Sequence, residues 1–233
     1  MVRLGVMNFS NTQVDKLGEN LRKGVTVDIL RKTDAYTRSF DNVYSKITEQ
    51  ISSRLKLNYT GRPVKSTKSL IEKLNRETSR LSQIQDISGY RIVVEDVFMQ
   101  NDVVSKLEEI FDLVDVVDRR ERSSNGYRAV HVIPYVEGKP FEIQIRSKLQ
   151  HYWAELSEKI ADKVGIDVKY GGGPVEARET LSELSDTIKS VENVELQLKQ
   201  KRLWEPEDLR WIEFEEQNFN IPPEFYARKR VDG

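Results

Sequence analysis

Between Phe141 and Arg146 the residues alternate strictly, with Phe141, Ile143 and Ile145 apolar and Glu142, Gln144 and Arg146 polar. An extended chain sends successive side chains to opposite faces, so the three polar groups share one side. In a central strand that side is a cleft wall carrying a carboxylate, an amide and a guanidinium in a row. In an edge strand it is simply the solvated face. Asp86 is a second carboxylate, just before Ser88-Gly89 at the mouth of an apolar strand, where it either caps a turn or points inward. On adjacent strands, Asp86 and Glu142 make a metal site suited to Mg²⁺, a hard cation that prefers oxygen ligands and phosphate partners.

Two further groupings suggest a phosphate-bearing ligand. Lys65, Ser69 and Lys73 recur at steps of four, which puts them on one helical stripe with Lys65 at the helix N-terminus. Backbone N–H groups, the positive end of the dipole and two ammonium groups then converge. With Lys68 nearby, a solvated charged face accounts for the lysines equally well. In Asn125-Gly126-Tyr127-Arg128-Ala129-Val130-His131, Tyr127 and His131 fall on the same side of a strand reading from Tyr127 to Val136. An aromatic ring and an imidazole so placed can hold a nucleobase and its sugar or phosphate. A structural tyrosine and a satisfied histidine are the plainer reading. Arg119, Arg120, Arg122 and Arg128 favour the phosphate-bearing ligand. Gly171-Gly172-Gly173 lacks the surroundings of a P-loop or a dinucleotide fingerprint.

The elements that must position these groups follow from periodicity. The first 24 or so residues, to Gly24, read as irregular or weakly helical. From about Asp34, Phe40, Tyr44, Ile47, Ile51 and Leu55 mark one face of an amphipathic helix. Tyr59 to Val64 is extended, and Ser66 or Thr67 caps the next helix, whose inner face is Leu70, Ile71 and Leu74. A β-rich run begins near Ile84 and ends at Val94, a helix covers Val103 to Phe111, and Leu113 to Val117 is strand-like. Leu149 to Val164 is helical and Gly171 to Pro174 breaks the chain. Interleaved helices and strands predict an α/β (α+β) body with a mixed β-sheet flanked by helices. The predicted organisation is an N-terminal segment over 1–33, a catalytic domain over 34–173 and a helical and aromatic tail over 174–233. Leu181, Leu184, Ile188, Val191 and Leu198 lie near a 3.5-residue period, which predicts an interaction helix pairing protomers or meeting a regulator, with packing on the body as the alternative. The tail beyond Trp204 is aromatic enough to dock on the body or on a partner.

Composition removes several classes of function. With 37 Lys+Arg against 38 Asp+Glu the net charge is −1, so bulk charge gives no reason for nucleic-acid binding. Zero cysteines exclude disulfides, thiolate metal sites and a cysteine nucleophile, and two histidines exclude a multi-histidine metal centre. No stretch approaches the roughly 18 apolar residues of a membrane span. The expected protein is soluble and cytoplasmic, without a membrane partner.

Taken in order, Lys65-x-x-x-Ser69-x-x-x-Lys73, Asp86-Ile87-Ser88-Gly89-Tyr90-Arg91, Asn125 to His131 and Glu142 to Arg146 resemble the synthetase domain of the RelA/SpoT family, which makes the alarmones (p)ppGpp. The motifs run from Gly61 to about Glu155, and the short chain is similar to the small alarmone synthetases or their toxin relatives. The resemblance implies a nucleotidyltransferase-like sheet and transfer of the β,γ-pyrophosphate of ATP to a ribose 3′-hydroxyl, with release of AMP. It places Arg62 and Arg91 about the adenine and Lys65, Ser69 and Lys73 on the ATP phosphates. Asp86 and Glu142 fall to Mg²⁺ and catalysis, Glu142 lying where the family activates the acceptor hydroxyl. Tyr127 stacks on the acceptor base, with Arg128, His131, Gln144 and Arg146 on the acceptor side. The chain departs from the usual pattern in the spacing Arg62-Pro63-Val64-Lys65 and in Arg122-Ser123-Ser124 before the glycine-tyrosine loop. Three readings follow: a pyrophosphokinase acting on GDP or GTP, a toxin that pyrophosphorylates the 3′ end of tRNA and meets an antitoxin protein, or a nucleotide-binding regulator without catalysis.

Overall fold

A computed structural model describes residues 9–55, 57, 59–62 and 64–204. The chain divides into two compact units, Met1–Lys189 and Ser190–Gly233, and the elements that carry the predicted chemistry lie in the first. Its centre is a mixed sheet built from β1 (Tyr59–Arg62), β2 (Gly89–Val94), β3 (Val114–Asp118), β4 (Val130–Val136), β5 (Lys139–Pro140) and β6 (Glu142–Ser147). The order is β1-β2-β6-β4-β3, with β5 pairing β4 off that path. Only β2 and β6 run parallel; the other pairs are antiparallel.

The alternation read at 141–146 is what fixes β6 in the middle. Ile143 and Ile145 are fully buried, with Phe141 just before the strand, in a core shared with Tyr90, Ile92 and Val94 of β2 and Val130 and Val132 of β4. Two helices cover that face: α3 (Asp41–Arg54) contributes Val43, Ile47 and Ile51, and α5 (Val97–Ile110) contributes Val103 and Leu107. The opposite face keeps Glu142, Gln144 and Arg146. Gly89 of β2 pairs with Glu142, and a Cβ there would stand 2.4 Å from the Glu142 carbonyl oxygen. Glycine is what lets the two strands meet beside the carboxylate.

The N-terminal segment, read as irregular or weakly helical, is a well-formed helix, α1 (Asn11–Lys23). Ser10 and Gln13 form a reciprocal capping box, and Val14, Leu17 and Leu21 are buried at helical spacing. The single helix expected through Phe40 is two, α2 (Val27–Arg38) and α3. The Ser39 hydroxyl donates to the Tyr36 carbonyl at 2.6 Å, competing with the helical ladder. Phe40 then enters a second core, with α1 and α4 (Thr67–Arg76), while Val43 onward belongs to the first. One straight helix cannot serve both cores.

Tyr127 is not in a strand either. Asn125 (φ 52°) and Gly126 (φ 85°) turn the chain before β4 begins at Val130. Gly126 lies against α6 (Lys148–Val164), where an added Cβ would fall 2.6 Å from the Trp153 ring. Gly126→Ala combines left-handed backbone with a clash, and is expected to cost about 1–3 kcal/mol. Thermal unfolding checks this; an unchanged Tm would mean the loop is looser than its contacts imply.

α7 (Val175–Trp204) begins after the glycine-rich turn. Leu181 and Ile188 are buried, with Leu184 partly so, against Trp153, Ala154 and Ala161 of α6, so this part of the stripe packs on the body. Val191, Val194 and Leu198 are exposed. The aromatic tail beyond Trp204 lies outside the described residues.

Candidate active site

The site grows from strand register. Gly89 pairs with Glu142, Arg91 with Gln144, and Gln144 in turn with His131 of β4. Arg91, Gln144 and His131 thus form a row across three strands on the polar face, with Glu142 and Arg146 one step to either side. A cleft of about 440 Å³ opens here, lined among others by Lys65, Asp86, Arg91, Glu142, Gln144 and Glu158. That volume is within the range of small-molecule sites.

Lys65 and Lys73 do converge, but on Asp86. Ser66 caps α4, so Lys65 precedes the helix rather than opening its stripe. Its N–H donates to the Ile87 carbonyl, which sets the side chain beside Asp86. Lys65 Nζ is 2.5 Å from Asp86 Oδ2, and Lys73 Nζ is 2.8 Å from Oδ1. Burial alone pushes the Asp86 carboxyl up, but Lys73 and Lys65 outweigh it and hold it below the usual carboxylate range. Ser69 turns instead to its own cap, its hydroxyl 2.9 Å from that of Ser66. Arg62 ends β1 by its backbone, and its side chain lies outside the described residues.

Glu142 is the second carboxylate. His131 Nδ1 lies 2.9 Å from its Oε1, and the Gln144 amide donates to its Oε2 at 2.8 Å. Burial pushes Glu142 up, while the hydrogen bond from His131 brings it below the ordinary value. Asp86 acts the other way on it, as two carboxylates at one site must. Tyr127 hydroxyl meets His131 Nε2 at 2.9 Å, and the Arg146 guanidinium lies 5.1 Å from the centre of its ring. Arg91 is pushed below the usual guanidinium value by burial and then by Arg146. Glu158, across the cleft, acts on Arg91 in the opposite direction.

Arg128 is not in this group. It is buried and held by α7: its Nε donates to Ser185 Oγ at 2.9 Å and its Nη2 to Asp186 at 2.8 Å. Ser185 in turn donates to the Gly126 carbonyl, so Arg128 anchors the loop that carries Tyr127 rather than facing the cleft. Two residues were missed by the sequence reading. Glu158 lines the cleft from α6, on a stripe with His151 and Glu155 at i, i+4 and i+7. Tyr170 packs under the Arg76 guanidinium at 4.1 Å, which gives the segment before the glycine turn a contact with α4.

Among the described residues no three His, Cys, Asp or Glu side chains converge as a metal cage. Asp86 and Glu142 are hard oxygen donors at one cleft. That suits Mg²⁺, which takes one or two carboxylates and completes its shell with water and phosphate.

Comparison with known proteins gives the family. Residues 61–166 match the region found in RelA / SpoT proteins. An uncharacterised protein of Mycobacterium tuberculosis is 34% identical over 175 residues, covering 71% of this chain, which spans 64% of that relative's length. The GTP pyrophosphokinase YwaC of Bacillus subtilis is 31% identical over 150 residues, covering 56% of this chain and 71% of that protein. The crystal structure of the small alarmone synthetase 1 from Bacillus subtilis bound to its product pppGpp superposes with a TM-score of 0.53 at 22% identity, over 71% of this chain and 93% of that one. The mixed sheet flanked by helices is the small alarmone synthetase fold, and the chain belongs to the RelA/SpoT family.

Proposed function

We propose that the chain is an ATP-dependent pyrophosphokinase that transfers the β,γ-pyrophosphate of ATP to the 3′-hydroxyl of GDP or GTP. The observation that supports it most is the pair Asp86 and Glu142 in one cleft with Lys65 and Arg91. Phosphoryl chemistry needs positioning, charge neutralisation and a carboxylate beside the attacking oxygen. On this reading O3′ of the acceptor attacks the β-phosphorus, the bond from that phosphorus to the α-phosphate oxygen breaks, and AMP leaves. The hydroxyl proton goes to Glu142. Lys65 and Lys73, which pair with Asp86 in the structure, are the groups that would meet the incoming phosphates, and Asp86 and Glu142 are the residues that would hold Mg²⁺. Bound there, the ion supplies charge neutralisation for the transferred group. That YwaC is a GTP pyrophosphokinase, and that small alarmone synthetase 1 binds pppGpp as its product, support GDP or GTP as acceptor.

Purified protein with γ-labelled ATP and, in separate reactions, GDP, GTP, ATP and deacylated tRNA tests this. Label in GDP or GTP with stoichiometric AMP is the expected result. Label in tRNA alone moves the protein to the tRNA-modifying reading, and no labelled acceptor overturns the enzyme.

Tyr127 is the proposed stacking surface for the acceptor base. Stacking contributes about 1–3 kcal/mol per base, so Tyr127→Ala is expected to raise the acceptor KM roughly 10- to 100-fold. The KM for ATP stays near that of the unaltered protein, because Lys65 and Arg91 are undisturbed. An equal rise in both constants would assign Tyr127 to the fold instead.

A further inference from the structure

Five side chains on the polar face close into one ring of hydrogen bonds. Arg146 Nη2 donates to the Tyr127 hydroxyl oxygen at 3.2 Å, and that hydroxyl lies 2.9 Å from His131 Nε2. His131 Nδ1 is 2.9 Å from Glu142 Oε1. On the other side Arg146 Nη2 donates to Gln144 Oε1 at 3.0 Å, and Gln144 Nε2 donates to Glu142 Oε2 at 2.8 Å. His131 and Arg146 are 8% and 5% exposed, so water competes little for these bonds.

The chemistry of the end groups orients the whole ring. A guanidinium only donates and an ionised carboxylate only accepts. Both arms therefore run from Arg146 to Glu142, one through Gln144 and one through Tyr127 and His131. Tyr127 receives from Arg146, which leaves its own hydrogen available to Nε2. The imidazole then donates to Glu142 through a hydrogen on Nδ1. Each oxygen of Glu142 is held by a different arm, which restricts the carboxylate to one orientation at the edge of the cleft.

We infer that His131 is a positioning residue for Glu142, and that through the Tyr127 hydroxyl it ties the orientation of that carboxylate to the loop on which the acceptor base is seated. This rests on the reading that Glu142 receives the acceptor proton. His131 is buried and both of its ring nitrogens are engaged, one by Glu142 and one by Tyr127, so it acts through Glu142. The pairing of His131 with Gln144 across β4 and β6 brings the arms together. Misplacing a reacting group by about 1 Å can cost on the order of 10²-fold, which sets the scale of the effect.

Two measurements test this. The chain has two histidines, His131 and His151, so ¹⁵N-histidine spectra are assignable with His151→Gln. His131 is expected to carry a hydrogen on Nδ1; a bare Nδ1 overturns the ring. This readout needs no activity, so it stands even if no acceptor is labelled, which would count against the pyrophosphokinase reading alone. In kinetics, an asparagine amide can take the place of Nδ1 and a glutamine amide that of Nε2. His131→Asn keeps the bond to Glu142 and loses that to Tyr127, and Tyr127→Phe breaks the same link from the other side, so both are expected to lower kcat by a similar few-fold. His131→Gln loses the bond to Glu142 and is expected to lower kcat roughly 10- to 100-fold with the acceptor KM little changed. Tyr127→Phe keeps the stacking ring, so a purely stacking tyrosine predicts no loss. Equal effects of Asn and Gln at 131, or a change confined to KM, would overturn the inference.

Discussion

Replacing Glu142 with glutamine is expected to abolish pyrophosphoryl transfer while nucleotide binding persists. The side chain keeps its length and can still meet His131 or Gln144, but it cannot accept a proton. Loss of a general base typically costs about 10²–10⁴-fold. The proposed ATP-binding groups, Lys65 and Arg91, make no hydrogen bond to Glu142, so calorimetric titration with ATP should give an affinity close to that of the unaltered chain. The substitution also disturbs the ring. One oxygen becomes an amide donor, facing either the Gln144 amide or the Nδ1 hydrogen of His131, and one neighbour must reverse its polarity. Labelled transfer at near-normal turnover in E142Q would remove Glu142 from the chemistry.

Asp86→Asn is expected to act differently, on the metal and on the two lysines. An amide is a poorer ligand than a carboxylate, so transfer falls and is partly restored by raising Mg²⁺ or Mn²⁺. No response at any metal concentration would mean that Asp86 serves the lysines alone. The ion pairs add a pH dependence of known sign. Lys73 and Lys65 hold the folded-state value of Asp86 below that of the free carboxyl, despite burial. The unfolded chain therefore binds this proton first as pH falls, and the contribution of Asp86 to stability is full above the ordinary aspartate value of about 3.9. It is lost as pH drops through the lower folded value. In acid titrations of Tm, the difference between the two proteins should shrink below about pH 4. A difference that stays constant to the lowest pH would show that the pairs contribute nothing to stability.

What could be read from residues alone was whatever depended on local pattern. The strand at Glu142 was legible because its two faces differ in every residue, and the Ser66 cap because a hydroxyl precedes an apolar helical stripe. The second carboxylate at Asp86 and its lysines were legible from type and spacing, although the contact they make was not. Lys65 reaches Asp86 through a backbone bond to Ile87 that has no local signature. The helix at the N-terminus was legible only weakly because its buried residues are diluted among polar ones and its start depends on one Ser10–Gln13 exchange. Asn125-Gly126 was a turn signal, overridden in the reading by the apparent alternation from Tyr127 to Tyr135. The partners of Arg128 lie 57 and 58 residues further on, at Ser185 and Asp186. The link between His131 and Glu142 exists only through the register of β4 against β6. Neither could be seen without the fold.

The strand arrangement also divides the site in time. β4 turns into β5 at Glu137 (φ 55°) and Gly138 (φ 72°), the two positive dihedrals of a tight hairpin, and the chain then runs on into β6. Those contacts are short-range, and hairpins close in about 1–10 μs. His131, Gln144, Glu142 and Arg146 therefore come together early, within one contiguous stretch. Asp86 joins them only when β2 docks in parallel on β6, a pairing between residues 89–94 and 142–147 that must close a much longer loop. The two carboxylates of the proposed site are thus expected to be assembled in separate folding events. A chain emerging from the ribosome has no paired carboxylates, and hence no means of performing the proposed transfer, until the last residues of β6 are free to pair.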